Sequence, residues 1–344
     1  MRSRDGTTAV RAFAIVLLWL QCGASSALAR SLFSWGGVGS CATEPCVSDG
    51  NDIVMVAYSW PIRLTLRSDG SLLTYGAPVP EGHDFVAIAT GSFHNLALRS
   101  DGSIVGWPNG LPDVIIGLEW YDQDVPPDGN DFTAIDGGGY HSIALRADGS
   151  IVGWGDNRLG QATPPDGNDF VAIAAGADYN LALRADGSIA GWGANQFGQA
   201  TPPEGNDFVA VAAGSGQGLA LRSDGSIVGW GTNQFGQATP PEGNDFVAIA
   251  AGAWHSLALR RDGSISGWGN NAFGAATPPA GNDFVAIAAG PDMSYALTRG
   301  PCEYALTGDV DGDCRVDFDD LALLLQNWLV DCALRPDHPA CIPK

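Results

Sequence analysis

The sequence predicts an all-β protein: a seven-bladed β-propeller closed by its N-terminal strand, plus a small C-terminal calcium loop–helix segment. Three observations carry this. A unit headed by Asp-Phe recurs every 38 residues, at Asp131, Asp169, Asp207, Asp245 and Asp283. No unit contains a helical period, only short alternating apolar runs. The last unit lacks a third strand, and the N-terminus begins with one. Arrays of this period mark solenoids and propellers, and four short antiparallel strands per unit make a blade.

Residues 1–29 read as a signal peptide. Arg2, Arg4 and Arg11 precede the apolar run Ala12 to Leu20, and Ala27-Leu28-Ala29 supplies a cleavage pattern. At about 1.5 Å per residue that run is too short for a bilayer core of roughly 30 Å. The expectation is a secreted chain, extracellular or at the cell surface, with no transmembrane span. Removing the signal leaves Cys41, Cys46, Cys302, Cys314, Cys332 and Cys341. An even count in an exported chain favours disulfides. Local spacing favours Cys41–Cys46, with two bridges among the other four.

Residues 30–300 form the propeller. In the unit from Asp169, Phe170 to Ala174, Leu181 to Arg184 and Ser188 to Trp192 read as three strands. Asp186-Gly187 reads as a type I′ hairpin turn, and Gln199-Ala200 as a short fourth strand. Earlier units start at Asp84-Phe85, with nine extra residues, and at Asp52-Ile53, six short. The final unit offers Phe284 to Ala288 and Ser294 to Thr298. Leu32 to Gly36 completes it.

The formal charge is -21, from 38 acidic and 17 basic residues, with Lys344 the one lysine. Phosphate neutralisation needs clustered Lys and Arg, so nucleic acid is excluded as a partner. Most acids are repeat copies at unit starts and Asp-Gly turns, so the acidity points to no ligand. No catalytic motif is present, and the chain reads as a non-enzymatic binding scaffold. The alternative is a carbohydrate-active enzyme or an accessory subunit in polysaccharide degradation.

Positions that differ between copies are those the fold does not dictate. The turn between first and second strands carries Phe93-His94, Tyr140-His141, Asp178-Tyr179, Gly216-Gln217 and Trp254-His255. Aromatic rings and imidazoles on turns suit recognition of a protein or a glycan. For His94, His141 and His255 the leading reading is a hydrogen-bonded turn role, with ligand binding kept as a candidate. The insertion after Trp107 adds Trp120 and Tyr121 to the candidate ligand-binding set. The repeated tryptophans of the Gly-Trp pairs read as blade-to-blade packing.

The segments Gly252 to Ser264 (GAWHSLALRRDGS) and Gly229 to Gln237 (GWGTNQFGQ) resemble the regulator of chromosome condensation repeat family. That resemblance implies a seven-bladed propeller over residues 30–300. It implies a binding scaffold and nothing narrower, since propellers host unrelated activities.

Residues 301–344 break the repeat grammar. Asp309, Asp311, Asp313, Asp317 and Asp320 occupy loop positions 1, 3, 5, 9 and 12, and Arg315 would add its carbonyl at position 7. This spacing supplies the oxygens that Ca2+ requires. Leu321, Leu324, Leu325 and Trp328 follow as the stripe of an exiting helix. The tail resembles a type I dockerin, which implies a cohesin-like scaffold as partner. It departs from that family in having one visible loop, and in carrying Cys314 where glycine is expected.

Overall fold

The computed structural model describes residues 31–37, 46–48, 52–59, 62–74, 78–109 and 121–298. The signal peptide, Cys41, Trp120, and the 301–344 tail with its calcium ligands and Cys302, Cys314, Cys332 and Cys341 lie outside the described residues. So does most of the insertion. Among those described, no helix is long and apolar enough to cross a membrane.

The strands form seven antiparallel sheets, each laid out from inner to middle to outer strand. Blade 1 holds Ile53–Ser59, Ile62–Arg67 and Leu72–Thr74. Blade 2 holds Phe85–Thr90, His94–Arg99 and Ile104–Pro108, and blade 3 Phe132–Gly137, His141–Arg146 and Ile151–Gly155. Blade 4 consists of Phe170–Ala175, Tyr179–Arg184 and Ile189–Gly193, and blade 5 of Phe208–Ala213, Gln217–Arg222 and Ile227–Gly231. Blade 6 is built from Phe246–Ala251, His255–Arg260 and Ile265–Gly269. In blade 7, Phe284–Ala289 and Met293–Thr298 are completed by Leu32–Gly36.

The sequence of each strand matches its radius. Inner strands converge on the axis, and their alanines and glycines line a central cavity. Middle strands bury their leucines against the next blade. Leu181 and Leu183 share a core with Phe208 and Val211, and Leu257 and Leu259 pack with Phe284 and Ile287. Burying one such side chain contributes about 1.5–3 kcal/mol. Much of the stabilising burial therefore lies between blades.

The ring closes as the sequence predicts. Leu32 pairs with Leu297 and Gly36 with Met293. Trp35 donates from Nε1 to the Ala275 carbonyl of blade 6 at 2.9 Å. Leu32 also packs with Ile53, Val56, Tyr295 and Leu297, joining blade 7 to blade 1.

Two expectations are corrected. Gln199-Ala200 forms no strand; the Gln199 carbonyl instead accepts from Trp230 Nε1 at 2.9 Å. Among the described residues, a fourth strand occurs only in blade 7, where Cys46–Ser48 pairs outside Leu32–Ser34. The Asp186-Gly187 hairpin is not type I′, because Gly187 alone has positive φ (85°). Gly187 N–H donates to the Arg184 carbonyl at 3.0 Å, and Arg184 N–H to that of Ser188 at 2.8 Å. That is the three-residue hairpin with a glycine bulge. A Cβ on Gly187 would also lie 2.3 Å from the Asn206 carbonyl, so glycine is required on steric grounds too.

Candidate binding face

Inner strands end, middle strands begin and outer strands end on one face of the disc. The opposite face carries the Asp-Gly-Ser hairpins. There Asp101, Asp148, Asp186, Asp224 and Asp262 each accept from the N–H and Oγ of the serine two residues on. Those bonds hold the carboxyls below their ordinary range. Arg99 pairs with Asp84 at 2.6 Å, and the equivalent arginines do likewise. Each guanidinium also stacks on the Phe that heads its blade, as Arg184 does on Phe170 at 4.4 Å. The hairpin aspartates and the aspartates that head the blades are thus engaged in their own turns and ion pairs.

On the first face the structure corrects the reading of the histidines. Middle strands begin two residues earlier than the alternation suggested. That puts His94, His141, Tyr179 and His255 inside the sheet, fully buried. They run a relay from blade to blade. His94 Nε2 meets Ser142 Oγ at 2.7 Å, His141 Nε2 meets Asn180 Oδ1 at 2.7 Å, and His255 Nε2 meets Ser294 Oγ at 2.8 Å. Tyr179 donates to the Gln217 carbonyl at 2.5 Å. Both serine hydroxyls are committed as donors, to Gln123 and Ala275 carbonyls. The histidines therefore donate from Nε2, and this assigns their tautomer. Burial pushes His94 down to about 3, helped by His141, and His255 down to about 4; burial lowers His141 too. All three are neutral at pH 7 and lie out of reach of a ligand on the face. Burial was illegible because the covering atoms belong to the next blade.

The partner residues in the same turns do reach the surface. Phe93 stacks on Tyr140 across blades 2 and 3, with centroids 4.8 Å apart and planes at 21°. Tyr121 meets the Tyr140 ring edge-on at 6.0 Å. Arg158 lies 4.8 Å over Tyr121 and pairs with buried Asp156 at 2.9 Å. On the far side, Trp254 meets Phe235 edge-on at 6.0 Å.

Sequence reasoning missed a second set. Leu159, Phe197, Phe235 and Phe273 occupy one position in the loops after successive outer strands, and are 45%, 63%, 49% and 48% exposed. Tyr121 holds the same place in blade 2. Each loop is built to display that residue. Gln199 Oε1 accepts from Phe197 N–H at 2.9 Å, Asn195 Oδ1 from Ala200 N–H at 3.0 Å, and Asn195 Nδ2 donates to Thr201 Oγ1 at 2.9 Å. Gln123 with Tyr121, Gln161 with Leu159 and Gln237 with Phe235 repeat the first bond. The signal was present in the repeated Phe-Gly-Gln. Its exposure was not, since a Phe in a periodic motif reads as core. Among the described residues, no group of three or more His, Cys, Asp or Glu could hold a metal.

A search of curated proteins found no match. Several solved structures share the fold. Prp20p from Saccharomyces cerevisiae, described with its binding to Gsp1p and histones, aligns at a TM-score of 0.67 and 19% identity, covering 86% of this chain and 96% of its own. Human WBSCR16 gives 0.63 and 16%, over 79% and 99%. The CRINKLY ectodomain of the Arabidopsis thaliana receptor kinase ACR4 gives 0.55 and 21%, over 70% and 89%. At these identities the likeness establishes the fold alone. In sequence, residues 132–161, 170–199, 208–237 and 246–275 match the regulator of chromosome condensation (RCC1) repeat. The chain is thus a β-propeller in which four successive blades match the regulator of chromosome condensation repeat.

Proposed function

We propose that this chain is an exported, non-enzymatic scaffold that docks a partner protein on its aromatic face. The observation that carries it is the rim formed by Leu159, Phe197, Phe235 and Phe273, with Trp254 beside it. Solvated Phe and Trp side chains, each on a loop fixed by side-chain-to-backbone bonds, lose little conformational freedom on binding. Aromatic anchors of this kind dominate protein interfaces. The binding of Gsp1p and histones by Prp20p, and the complex of the same yeast protein with Kap60, support a propeller of this fold in such a role. The Phe93–Tyr140–Tyr121 stack beside Arg158 favours a second reading, a glycan laid across the aromatic faces.

The tail is proposed to bind Ca2+ through Asp309, Asp311, Asp313, Asp317, Asp320 and the Arg315 carbonyl, bracing or attaching the propeller. Its test is the melting temperature of residues 301–344 in the full chain, with calcium and with a chelator. Equal melting would remove the tail from the proposal.

The face is tested by capture from the medium and cell surface with the mature protein. The comparison is with the Phe197→Ser/Phe235→Ser/Phe273→Ser variant. Loss of a specific protein band with unchanged melting supports docking. Retention of the same band refutes it, and capture of oligosaccharide lost in Tyr140→Ala moves the function to the glycan reading.

A further inference from the structure

The central channel holds one residue that the repeat does not explain. Inner strands from all seven blades enclose a cavity of about 280 Å³. At one position of each inner strand stand Ala57, Ala89, Ala174, Ala212, Ala250 and Ala288, all lining it. Blade 3 has Asp136 there instead. The register confirms the equivalence, with Asp136 opposite Ile143 as Ala174 is opposite Leu181. Six copies show that the propeller closes with a methyl group at this position. The carboxylate is therefore not a requirement of the fold.

Its surroundings leave it half-satisfied. One oxygen accepts from Gly137 N–H at 2.9 Å, and the other from Ala175 N–H of the next blade at 2.8 Å. An ionised carboxylate offers about four acceptor positions, so each oxygen keeps one free. Among the described residues, the only other ionisable side chains lining the cavity are Tyr58 and Tyr295. Burial raises both phenols, Tyr58 to about 12, so they remain neutral. The inner strands on either side, Phe85–Thr90 and Phe170–Ala175, carry no charge. Nearby His94 and His141 are neutral, engaged in the relay from Nε2. A partly buried anion without a counter-charge is costly, and it is relieved by a proton or by a cation brought from outside. With burial dominant, the Asp136 carboxyl is raised to about 7.

We propose that the channel is a binding site for a small organic ammonium ion, its charge paired with the Asp136 carboxylate and its alkyl body lying among the alanines. One carboxylate with no second ligand makes a poor metal site. An alkylammonium needs only one charged acceptor and an apolar wall. The site lies on the axis, away from the aromatic rim, and does not depend on it.

The test is calorimetric titration of the mature chain with n-butylammonium at pH 8.5, with 1-butanol as the neutral isostere. Saturable one-to-one binding is expected for the ammonium, and binding weaker by about tenfold or more for the alcohol, for Asp136→Asn, and for wild type at pH 5. Asp136→Ala restores the residue of the other six blades and controls for folding. Ala212→Leu leaves Asp136 intact but fills the channel, and it too should abolish binding. Equal binding of alcohol and ammonium, unchanged binding in Asp136→Asn or in Ala212→Leu, or no binding by wild type at millimolar concentrations would each overturn the proposal.

Discussion

Replacing Asp136 by alanine isolates the energetic cost of one carboxylate in the channel. Burial moves this carboxyl from 3.8 to about 7, its two backbone N–H bonds opposing the rise only in part. At 1.36 kcal/mol per pH unit, that difference is worth roughly 4 kcal/mol. Below pH 3.8 the group is protonated in the folded and unfolded chain alike, and it costs nothing. Above pH 7 it is ionised in both, and the folded chain bears the whole cost. Between them, wild type loses stability relative to Asp136→Ala as pH rises, at up to about 1.4 kcal/mol per unit. The raw wild-type curve will not show this. His94, His141 and His255 titrate over the same range with the opposite sign, since their imidazoles are held below 6.5 by burial. The readout is therefore the difference between variant and wild type, from urea unfolding followed by tryptophan fluorescence at pH 4.5, 6 and 8. The variant should gain on wild type across that series by several kcal/mol. A difference independent of pH would refute the assignment of a carboxylate whose charge the folded channel disfavours.

The histidine relay gives a complementary result. The unfolded chain takes up protons below pH 6.5 that the folded chain refuses, so His94→Gln/His141→Gln/His255→Gln should flatten the loss of stability between pH 6.5 and 4. Gln217 already fills this position in blade 5, donating to the Gly252 carbonyl at 2.8 Å, so folding should survive; an unchanged acid limb would contradict the neutral-imidazole assignment. Trp35→Ala should cost about 3–5 kcal/mol through lost packing at the seam, whereas Trp35→Phe should cost about 1 kcal/mol by removing one of the two donors to the Ala275 carbonyl, the other being Ser294 Oγ. Chemical unfolding separates the two. Phe197→Ser should shift stability by less than about 0.5 kcal/mol, as expected for a side chain that touches little; a larger loss would mean that the exposed rim is part of the fold.

What was legible follows from where the determinants lie. The Asp-Phe heads, the Leu-Ala-Leu-Arg runs and the Gly-Trp pairs are local and repeated, and they gave blades, strand order and the closing strand. The Trp latches were legible as packing. Their acceptors, the carbonyls of Gln123, Gln161, Gln199 and Gln237, were not, because each lies one blade away. The same cause hid the burial of His94 and His255, whose partners are 48 and 39 residues distant. Phe93, Tyr140 and Trp254 stood out as surface aromatics because they break the repeat. Phe197 and Phe235 were missed because they obey it. Asp136 also breaks the repeat, but an acid in an acidic chain draws no attention until its strand is seen to line the axis.

The seam also sets a clock. Ser31 and Thr298, hydrogen-bonded where the ring closes, are 267 residues apart. At synthesis rates of roughly 5–20 residues per second, the N-terminal strand waits about 10–50 s for its partner. Through that interval Leu32 and Trp35 have no sheet to enter, and the channel is an open trough. Every blade before the seventh can pair its own strands as it emerges, but the cavity around Asp136 comes into existence only with the last strand.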